Sequence, residues 1–381
     1  MHKLQFHYTF ERPQPGDASD SQPTGSPTPN TIRNPLLDLL HAVQSSGSIS
    51  GASRLLGLSY RHVWGELKRW QDDMGHELIT WDKGQASRLT EFGEKLLWAE
   101  RQAQARLAPQ IASLQADLER AFALAFDDNI HVLTLYASHD DALSALRGHA
   151  AEQHQLHLDV RFMGSVDAIR ALNEGRCVMA GFHTLSHPAK GSLTERTYRP
   201  LLKPGLHKII GFAQRRQGLM MAPCNPLGLT GVADLAQAGV RLINRAWGTG
   251  TRVLLDELLA QANIDPATLQ GYDHEEGSHA AVAQAIAAGA ADAGLGIEAA
   301  ALARGLGFVP LVTENYHLVC LKSALEEPAI QSLQKVLGSP AWHERLQSLG
   351  GYAVDTSQAG EVQSLRQTLP WWNYRQRKQA R

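Results

Sequence analysis

Apolar positions recur at helical spacing from residue 36 onward and predict three short helices that follow one another closely. The first helix ends near Gly47, and the second spans residues 50–56. Gly57 supplies a tight turn, and Ser59 is placed to cap a third helix that runs to about residue 72. A short helix, a turn and a longer helix at this spacing are typical of a helix-turn-helix.

The start of the third helix carries polar side chains that are predicted to face outward. Ser59, Tyr60, Arg61 and His62 are then able to reach base edges in the major groove of DNA. The competing interpretation is a three-helix bundle whose basic residues form only a solvated face. The residues expected to fill the core beneath are Leu55, Leu58 and Val63.

Basic residues further along the chain are predicted to contact the DNA backbone. Lys68 and Arg69 lie later on the third helix, where they meet phosphates more naturally than bases. A β-hairpin follows and forms a candidate wing, on which Lys83 and Arg88 are expected to contact the backbone or the minor groove. The two predicted strands of the hairpin cover residues 78–81 and 87–89.

A long amphipathic helix is predicted from Thr90, which suits the N-cap, to about residue 125. Its apolar face is longer than a small amino-terminal domain can cover. We therefore expect residues 91–128 to form a linker that also pairs two subunits as a homodimer. The residues of the apolar face are Leu96, Leu97, Leu107, Ile111, Leu114 and Leu118.

From residue 129 the pattern changes to short apolar or β-branched runs, each followed by a helical stretch. This alternation predicts an α/β domain with a mainly parallel sheet and covering helices. The last predicted helices lie around residues 329–337 and 342–349. The predicted strands cover residues 130–136, 156–162, 178–182, 208–213, 240–243, 292–295 and 316–321.

A glycine-rich segment after predicted strand 240–243 carries the sharpest binding chemistry. Glycines let the backbone approach a ligand, and helix-start amides, hydroxyls and guanidinium groups together suit an oxyanion or a phosphate. The sequence lacks the Lys-Ser/Thr ending of a nucleotide P-loop, and a plain strand-to-helix turn is the alternative. The candidate ligand-binding residues here are Arg245, Gly248, Thr249, Gly250, Thr251 and Arg252.

Polar residues also follow three other predicted strands, at the sheet edge where open α/β sheets bind ligands. The candidates there are Ser138, Asp140, Ser165 and His183, although helix capping is the plainer explanation for each. His279 is a further candidate, in a stretch whose imidazoles and carboxylates lack the regular spacing of a metal site. Residues 291–296 are expected to form a hinge.

Composition narrows the class of protein. Of the 381 residues, 43% are hydrophobic and 19% charged, as in ordinary globular proteins. The sequence has no apolar run of about twenty residues and no secretory signal pattern, so a cytoplasmic location is expected. The net charge of −2 excludes a protein that is basic overall and is compatible with a local basic face. Residues 1–33 are predicted to be a disordered leader.

Residues 47–64 resemble the N-terminal domain of the molybdate-responsive ModE family. The matching motifs are Gly-Ser-Ile at 47–49, Leu-Gly-Leu-Ser-Tyr at 56–60 and Val-Trp at 63–64. The likeness covers about residues 34–97 and is shared more distantly with LysR-type regulators, although the wing tip is poorer in glycine than the family pattern. The resemblance implies a winged helix-turn-helix over residues 34–90 that binds a double-stranded DNA operator.

The rest of the chain resembles the periplasmic-binding-protein-like domain found fused to ModE-like heads. The motifs lie at residues 248–255, 272–289, 291–296 and 307–311. The resemblance implies a two-lobed sensor over residues 129–354, followed by a tail at 355–381. It also implies a small anionic effector, namely molybdate, tungstate or a molybdenum cofactor precursor, and no catalytic cofactor.

These patterns together predict a transcriptional regulator whose operator affinity is controlled by an anionic ligand. One alternative is an enzyme of molybdenum-cofactor or anion metabolism that uses His139, Asp140, His183 or His279 as acid or base. Another is a ligand-storage protein without DNA binding. Because the sequence contains no nucleophile elbow, Walker motif or metalloprotease motif, we expect no enzymatic activity.

Overall fold

The computed structural model describes residues 34–80, 87–126, 131–186 and 188–372. The predicted leader, the tip of the predicted wing with Lys83, and residues 373–381 of the predicted tail lie outside the described residues. The chain divides into two compact units, residues 1–104 and 105–381. Among the described residues, no helix combines the length and the apolar character needed to cross a membrane.

The first unit contains three short helices and a two-stranded antiparallel sheet. The Ser59 hydroxyl accepts a hydrogen bond from the backbone N of His62 at 3.2 Å, which confirms the predicted cap of the third helix. Gly57 ends the second helix with a left-handed φ of 66°, a conformation that glycine adopts without strain. The elements are α1 (Pro35–Ser46), α2 (Ile49–Leu56), α3 (Tyr60–Met74), β1 (Ile79–Thr80) and β2 (Arg88–Leu89).

A small apolar core holds these helices together. Val63 is fully buried in it, as predicted. The prediction that Leu55 and Leu58 also belong to this core is wrong, because their side chains are 55% and 41% exposed. The buried face of α2 follows a different helical spacing, and its residues are Ile49, Ala52 and Ser53.

A single long helix, α4 (Glu91–Phe126), follows the hairpin. The Thr90 hydroxyl accepts a hydrogen bond from the backbone N of Gly93 at 3.1 Å and caps this helix, as predicted. The helix contains Pro109 in its interior. Between residues 107 and 122 of α4, Leu107, Leu114 and Phe122 are exposed apolar side chains.

The second unit is an α/β domain built on one large sheet. Its strands are β3 (His131–Ala137), β4 (Leu156–Phe162), β5 (Met179–Leu185), β6 (His207–Met221), β7 (Asn244–Arg245), β8 (Glu275–Glu276), β9 (Ala293–Ile297), β10 (Gly307–Leu321), β11 (Tyr352–Ala353) and β12 (Val362–Ser364). Its α-helices are α5 (Asp141–His154), α6 (Ser165–Asn173), α7 (Leu193–Tyr198), α8 (Gly250–Gln261), α9 (His279–Ala287), α10 (Glu298–Leu302), α11 (Pro328–Leu337), α12 (Pro340–Gln347) and α13 (Leu365–Thr368). Short 3-10 helices cover Val232–Ala236, Pro266–Thr268, Lys322–Glu326 and Pro370–Trp372.

The strand order of the large sheet is β11-β6-β10-β5-β3-β4. Strand β3 pairs in parallel with β4 and β5, as the alternating pattern predicted. The prediction of a mainly parallel sheet is wrong for the remainder, because β10 runs antiparallel to both β5 and β6, and β9 runs antiparallel to β6. Strands β7 to β9 and helices α8 to α10 lie between the two longest strands, β6 and β10, in the sequence.

Two 15-residue strands, β6 and β10, connect the two lobes of the domain. The first half of β6 and the second half of β10 join β3, β4 and β5 in what we call the first lobe. The other halves lie beside β9 in the second lobe. The predicted hinge at residues 291–296 is wrong, because β9 is a buried strand inside the second lobe. The chain passes between the lobes along β6 and β10.

The chain continues to pack on the first lobe beyond residue 354, where the sequence placed the start of a tail. Strand β12 pairs antiparallel with β6. Leu365, Leu369 and Trp371 are buried in one apolar cluster with Phe182 and Val319 of the first lobe. Because burial of a large apolar side chain contributes roughly 1.5–3 kcal/mol, this segment belongs to the folded domain as far as Trp372.

Candidate functional site

In the first unit, the start of α3 presents the polar surface that the sequence predicted. Tyr60, Arg61 and His62 are all exposed there. Ser59 is also exposed, and its hydroxyl is used to cap the helix. Trp64 lies one turn further on, with the Lys68 Nζ atom 5.2 Å from its ring centre. The structure therefore brings the four predicted base-contacting residues together at one exposed helix end.

The other predicted DNA contacts are less uniform. Arg69 is exposed, and its Nη2 atom lies 2.6 Å from a carboxylate oxygen of Glu66, which compensates its charge. Arg88 is exposed on β2. Lys83 lies outside the described residues.

In the second unit, four helix starts and the strand β7 contribute to one buried polar region between the lobes, which we call the interlobe site. On the first-lobe side, the hydroxyl oxygens of Ser138 and Ser165 are 3.4 Å apart. On the second-lobe side, the carbonyl of Gly248 accepts a hydrogen bond from the backbone N of Val166 at 3.4 Å. Four of the predicted ligand segments therefore meet, since α5, α6 and α8 begin here and His279 opens α9.

Glycine is required where the lobes touch. A β-carbon on Gly164 would lie 2.8 Å from the carbonyl oxygen of Gly248, closer than such atoms approach. A β-carbon on Gly250 would lie 3.3 Å from the β-carbon of His183. The glycines therefore allow the start of α8 to approach the first lobe.

Arg245 is the central cation of the interlobe site. Its side chain is buried, with 2% relative exposure. The Nε and Nη1 atoms have no hydrogen-bond partner among the described residues. Burial and the nearby positive charge of Arg215 lower the pKa of Arg245 to about 9, and Asp140 opposes them. A buried guanidinium in this condition favours a negatively charged partner.

Three histidines surround this cation. Burial and the charges of Arg215, His317 and Arg245 hold the pKa of His183 well below its usual value. Burial and Arg245 lower the pKa of His279 in the same way. Burial lowers the pKa of His139 to about 4, with Arg245 adding to the effect and Asp140 opposing it. At neutral pH these side chains are therefore neutral imidazoles.

These histidines also have free hydrogen-bonding capacity. Neither ring nitrogen of His183, nor the Nδ1 atom of His279, has a hydrogen-bond partner among the described residues. The hydroxyl of Tyr316 is in the same condition, and its ring lies 3.9 Å from that of His183, centre to centre. Buried polar groups without partners are rare in folded proteins, so their concentration here indicates a binding site.

A buried ion-pair network crosses the middle of the two long strands, next to the interlobe site. Arg215 of β6 donates hydrogen bonds to Asp140 and, at 3.1 Å, to Glu314 of β10. Gln217 donates to Glu314 at 2.5 Å and to the Thr251 hydroxyl at 3.1 Å. This network links the first lobe, both connecting strands and the start of α8.

The electrostatics of this network keep Arg215 charged. Burial alone lowers the pKa of Arg215, but the charges of Glu314 and Asp140 outweigh it and raise that pKa. Burial raises the pKa of Glu314, against the effect of Arg215. Two carboxylates thus pair with Arg215, whereas Arg245 forms no ion pair among the described residues and is only partly compensated by Asp140. Sequence reasoning missed Arg215, Gln217 and Glu314; the signal was charged and polar residues inside an apolar strand pattern.

Arg252 has a different environment from Arg245. Its guanidinium carbon lies 4.2 Å from the ring centre of Trp247 and 4.0 Å from that of Tyr272. Its Nη1 atom is 3.2 Å from a carboxylate oxygen of Glu275, and its Nε atom is 3.4 Å from Asp256. Its Nε and Nη2 atoms have no hydrogen-bond partner among the described residues, as is also true of two atoms of Arg245, but stacking and two carboxylates compensate the charge of Arg252.

The remaining predicted ligand residues have mainly structural contacts. The Thr249 hydroxyl accepts from the backbone N of Arg252 at 3.3 Å and caps α8. Asp140 caps α5 through a bond of 2.9 Å from the backbone N of Ala142. Gly248 adopts a left-handed φ of 79° at the turn before α8. The described residues contain no group of three or more His, Cys, Asp or Glu side chains placed to hold a metal ion.

Comparison with known proteins assigns both units. Residues 147–338 match the PBP superfamily domain, and residues 35–94 match the bacterial regulatory helix-turn-helix protein of the lysR family. The chain belongs to the PBP superfamily. It joins a match to the lysR-family helix-turn-helix, over residues 35–94, to this PBP-type domain.

Two curated relatives are themselves uncharacterized. YvgK of Bacillus subtilis is 32% identical over 202 residues, which cover 53% of this chain and 64% of that protein. This chain thus spans less than two thirds of YvgK. An uncharacterized protein in the ferredoxin 2Fe-2S gene 5' region of Clostridium pasteurianum is 37% identical over 111 residues, or 29% of this chain and 96% of that protein.

Solved structures of full-length LysR-type proteins are similar at low sequence identity. CbnR complexed with its target DNA has a TM-score of 0.39 at 17% identity, over 78% of this chain and 96% of that chain. LysG from Corynebacterium glutamicum with bound effector Arg has a TM-score of 0.36 at 18% identity, over 80% and 96% of the two chains.

Proposed function

We propose that this chain is a LysR-type transcriptional regulator, that it binds a small oxyanion at the interlobe site, and that the bound anion changes its affinity for operator DNA. The observation that carries the proposal is Arg245, whose buried guanidinium has two atoms without a hydrogen-bond partner and forms no ion pair among the described residues, unlike Arg252. An uncompensated buried charge is unfavourable in a folded protein. A ligand that supplies the opposite charge removes that penalty and gains strong, charge-assisted hydrogen bonds.

The neighbouring groups suit an oxyanion in particular. Helix α6 begins at Ser165 without a side-chain cap; the backbone N of Val166 already donates to the Gly248 carbonyl, which leaves the amides of Ser165 and Asp167 available to an anion. The free nitrogens of His183 and His279 and the Tyr316 hydroxyl add donors. The ModE-like motifs at 47–64 favour molybdate or tungstate, and a phosphate-bearing molybdenum cofactor precursor has the same donor requirements.

For DNA recognition, we propose that α3 enters the major groove. Its exposed residues Tyr60, Arg61 and His62 contact bases, with Ser59 at the helix start and the arginine as the strongest single contact. Lys68, Arg69, Lys83 and Arg88 contact the DNA backbone. A dimer presents two such helices to two half-sites.

The stretch of α4 from residue 107 to 122 supplies a surface on which two subunits can pair. Leu107, Leu114 and Phe122 are exposed there at intervals of seven and eight residues, close to the repeat of a coiled coil. We propose a homodimer through this face. Effector binding then alters operator affinity only insofar as the anion prefers one arrangement of the two lobes.

The anion proposal is tested by thermal unfolding of the full chain with molybdate, tungstate, sulfate and phosphate. We expect at least one anion to raise the Tm of the wild type and to leave Arg245→Met unchanged. Arg252→Met is the matched control, because Arg252 is equally buried but has carboxylate partners. A shift that survives in Arg245→Met and disappears in Arg252→Met would move the anion contact to Arg252. No shift with any of the four anions would refute the proposal.

A further inference from the structure

Four consecutive residues connect the interlobe site to the linker helix α4. Strand β8 pairs in parallel with β7, so that Glu276 lies beside Arg245, and the backbone N of Ala246 donates to the Glu276 carbonyl at 3.1 Å. Ser278 caps α9, and His279 opens that helix inside the interlobe site. We call residues 276–279 the connecting segment. Any movement of β7 or α9 around a ligand therefore moves this segment.

The Glu276 side chain of the connecting segment holds Arg106 of α4. Arg106 Nη2 lies 2.7 Å from one carboxylate oxygen of Glu276, and Arg106 Nε lies 3.1 Å from the other. The Glu276 side chain is 5% exposed, whereas that of Arg106 is 59% exposed. The hydrogen bond to Glu276 raises the pKa of Arg106. A two-point contact of this kind fixes orientation as well as distance.

A second contact uses a carbonyl that the helix itself leaves free. Pro109 has no N–H, so the carbonyl of Ala105, four residues earlier, lacks its usual partner in the helix. The Ser278 hydroxyl donates to this carbonyl at 3.1 Å. The interruption of the helical hydrogen bonds and the attachment of the connecting segment therefore fall at the same place.

The same helix is also attached to the first lobe, one to three turns further along. Arg161 of β4 donates to Asp117 at 3.1 Å. Arg147 of α5 donates to the carbonyl of Ala112 at 3.1 Å. Residues 105–117 of α4 thus contact both lobes, so a change in the separation of the lobes changes the restraints on this part of the helix.

We infer that the Arg106–Glu276 ion pair, together with the Ser278–Ala105 hydrogen bond, transmits the state of the interlobe site to the linker helix. The inference builds on the proposed function, in which the lobes respond to an anion. It assigns the transmission to the contacts that Glu276 and Ser278 of the second lobe make with α4. Arg106 acts here as a positioning residue, because it contacts the connecting segment and not the ligand.

The test separates the lobes without any ligand. Gly164→Ala places a β-carbon against the Gly248 carbonyl and acts as a wedge between the lobes. The readout is hydrogen exchange of the backbone amides of residues 105–112 in the full chain. We expect the wedge to speed this exchange at least about threefold in the wild-type background and to have no further effect in Arg106→Ala.

A matched control distinguishes transmission from general loosening. Arg241 forms a two-point ion pair with Asp292 in the second lobe, with distances of 3.0 and 2.8 Å, and lies outside the connecting segment. The wedge should retain its full effect in Arg241→Ala. The inference is overturned if the wedge acts equally in Arg106→Ala, or if it leaves residues 105–112 unchanged in the wild type.

Two further measurements, of Tm and of DNA affinity, test the proposed function separately from the wedge experiment. Molybdate should raise the Tm of Arg106→Ala as much as that of the wild type, because Arg106 does not contact the anion. Its effect on the affinity for a DNA duplex selected with the wild-type protein should be lost in Arg106→Ala. Loss of the Tm shift in Arg106→Ala would place Arg106 in ligand binding and refute its role as a transmitter. No Tm shift in the wild type would refute the anion proposal while the wedge experiment still decides the inference.

Discussion

The helix-turn-helix unit keeps its key cations in water, whereas the ligand-binding domain buries its own. Arg61 is exposed at the start of α3, and Arg245 is 2% exposed between the lobes. An exposed arginine is free to meet the phosphate and base surface of DNA without first losing its solvation. A buried arginine has lost its solvation during folding, so a small anion meets a prepared, low-dielectric site.

This difference separates two ways of recognising negative charge. A DNA duplex is large and gains affinity from many weak, salt-sensitive contacts. A small oxyanion offers only a few atoms, so each contact must be strong and oriented. The two units of this chain therefore expose or bury arginine according to the size of the anion that each one meets.

The comparison predicts different effects on stability when the two arginines are removed. In the absence of ligand, Arg245→Met should raise the free energy of unfolding of the second unit by about 3 kcal/mol, because a buried charge that Asp140 only partly compensates is replaced by an apolar side chain. Arg61→Met should change stability by less than about 0.5 kcal/mol. Urea denaturation measures both. A destabilised Arg245→Met would mean that the buried guanidinium has a partner in the free protein.

The buried histidines predict an acid sensitivity that is confined to the second unit. Burial lowers the pKa values of His139 and His317 to about 4. Between pH 6.5 and 4 the unfolded chain binds more protons than the folded one, so stability is present above pH 6.5 and is lost as the pH falls. Asp141 opposes this, because burial raises its pKa to about 6. Each of the four buried histidines, His183 and His279 included, should lose about 1 kcal/mol between pH 6.5 and 5.5, and Asp141 returns somewhat less than that, so about 3 kcal/mol of stability should be removed.

The first unit provides the internal reference for this pH experiment. Its described histidines, His41, His62 and His76, are all exposed. Protection of the β5 amides against hydrogen exchange, corrected for the slower intrinsic exchange at lower pH, should therefore fall on acidification, while protection of the α1 amides should not. An equal loss of protection in both units would indicate global acid unfolding and would weaken the comparison.

The substitution Arg61→Ala tests whether the exposed arginine of the first unit contacts DNA. We expect operator affinity to fall about tenfold at unchanged fold, because one base contact is lost. Fluorescence anisotropy with a duplex selected from genomic fragments measures the loss. Arg69→Ala is the control, since Arg69 is paired with Glu66 and is expected to contact only phosphate. Unchanged affinity in Arg61→Ala would move the recognition surface away from the start of α3.

The smallest expected effect concerns the cap of the same helix. Ser59→Ala should destabilise the first unit by about 1 kcal/mol, because the backbone N of His62 loses its partner. Ser59→Asp keeps a capping oxygen and should restore the stability, but its negative charge should still weaken DNA binding. If both variants bind DNA as the wild type does, Ser59 has only a structural role.

The sequence predicted the first unit better than the second, for a physical reason. Caps such as Ser59 and turns such as Gly57 act within a few residues, so a local pattern contains them. The partition between lobes depends on β6 and β10, which pair across about a hundred positions of chain, and no local pattern contains that pairing. The predicted hinge was therefore misplaced. The glycines identified the segment that contains Arg245. The sequence could not distinguish Arg245 from Arg252 as the anion contact, because that distinction depends on neighbours that only the fold brings together.

Strands β6 and β10 also constrain how the protein is made. The first lobe needs residues 131–185, the second half of β10 and the segment that ends in Trp371, so it cannot be completed until almost the whole polypeptide has left the ribosome. The helix-turn-helix is finished some 280 residues earlier in synthesis and is able to fold by then. A nascent chain therefore acquires its DNA-reading surface well before it acquires the site proposed to regulate it.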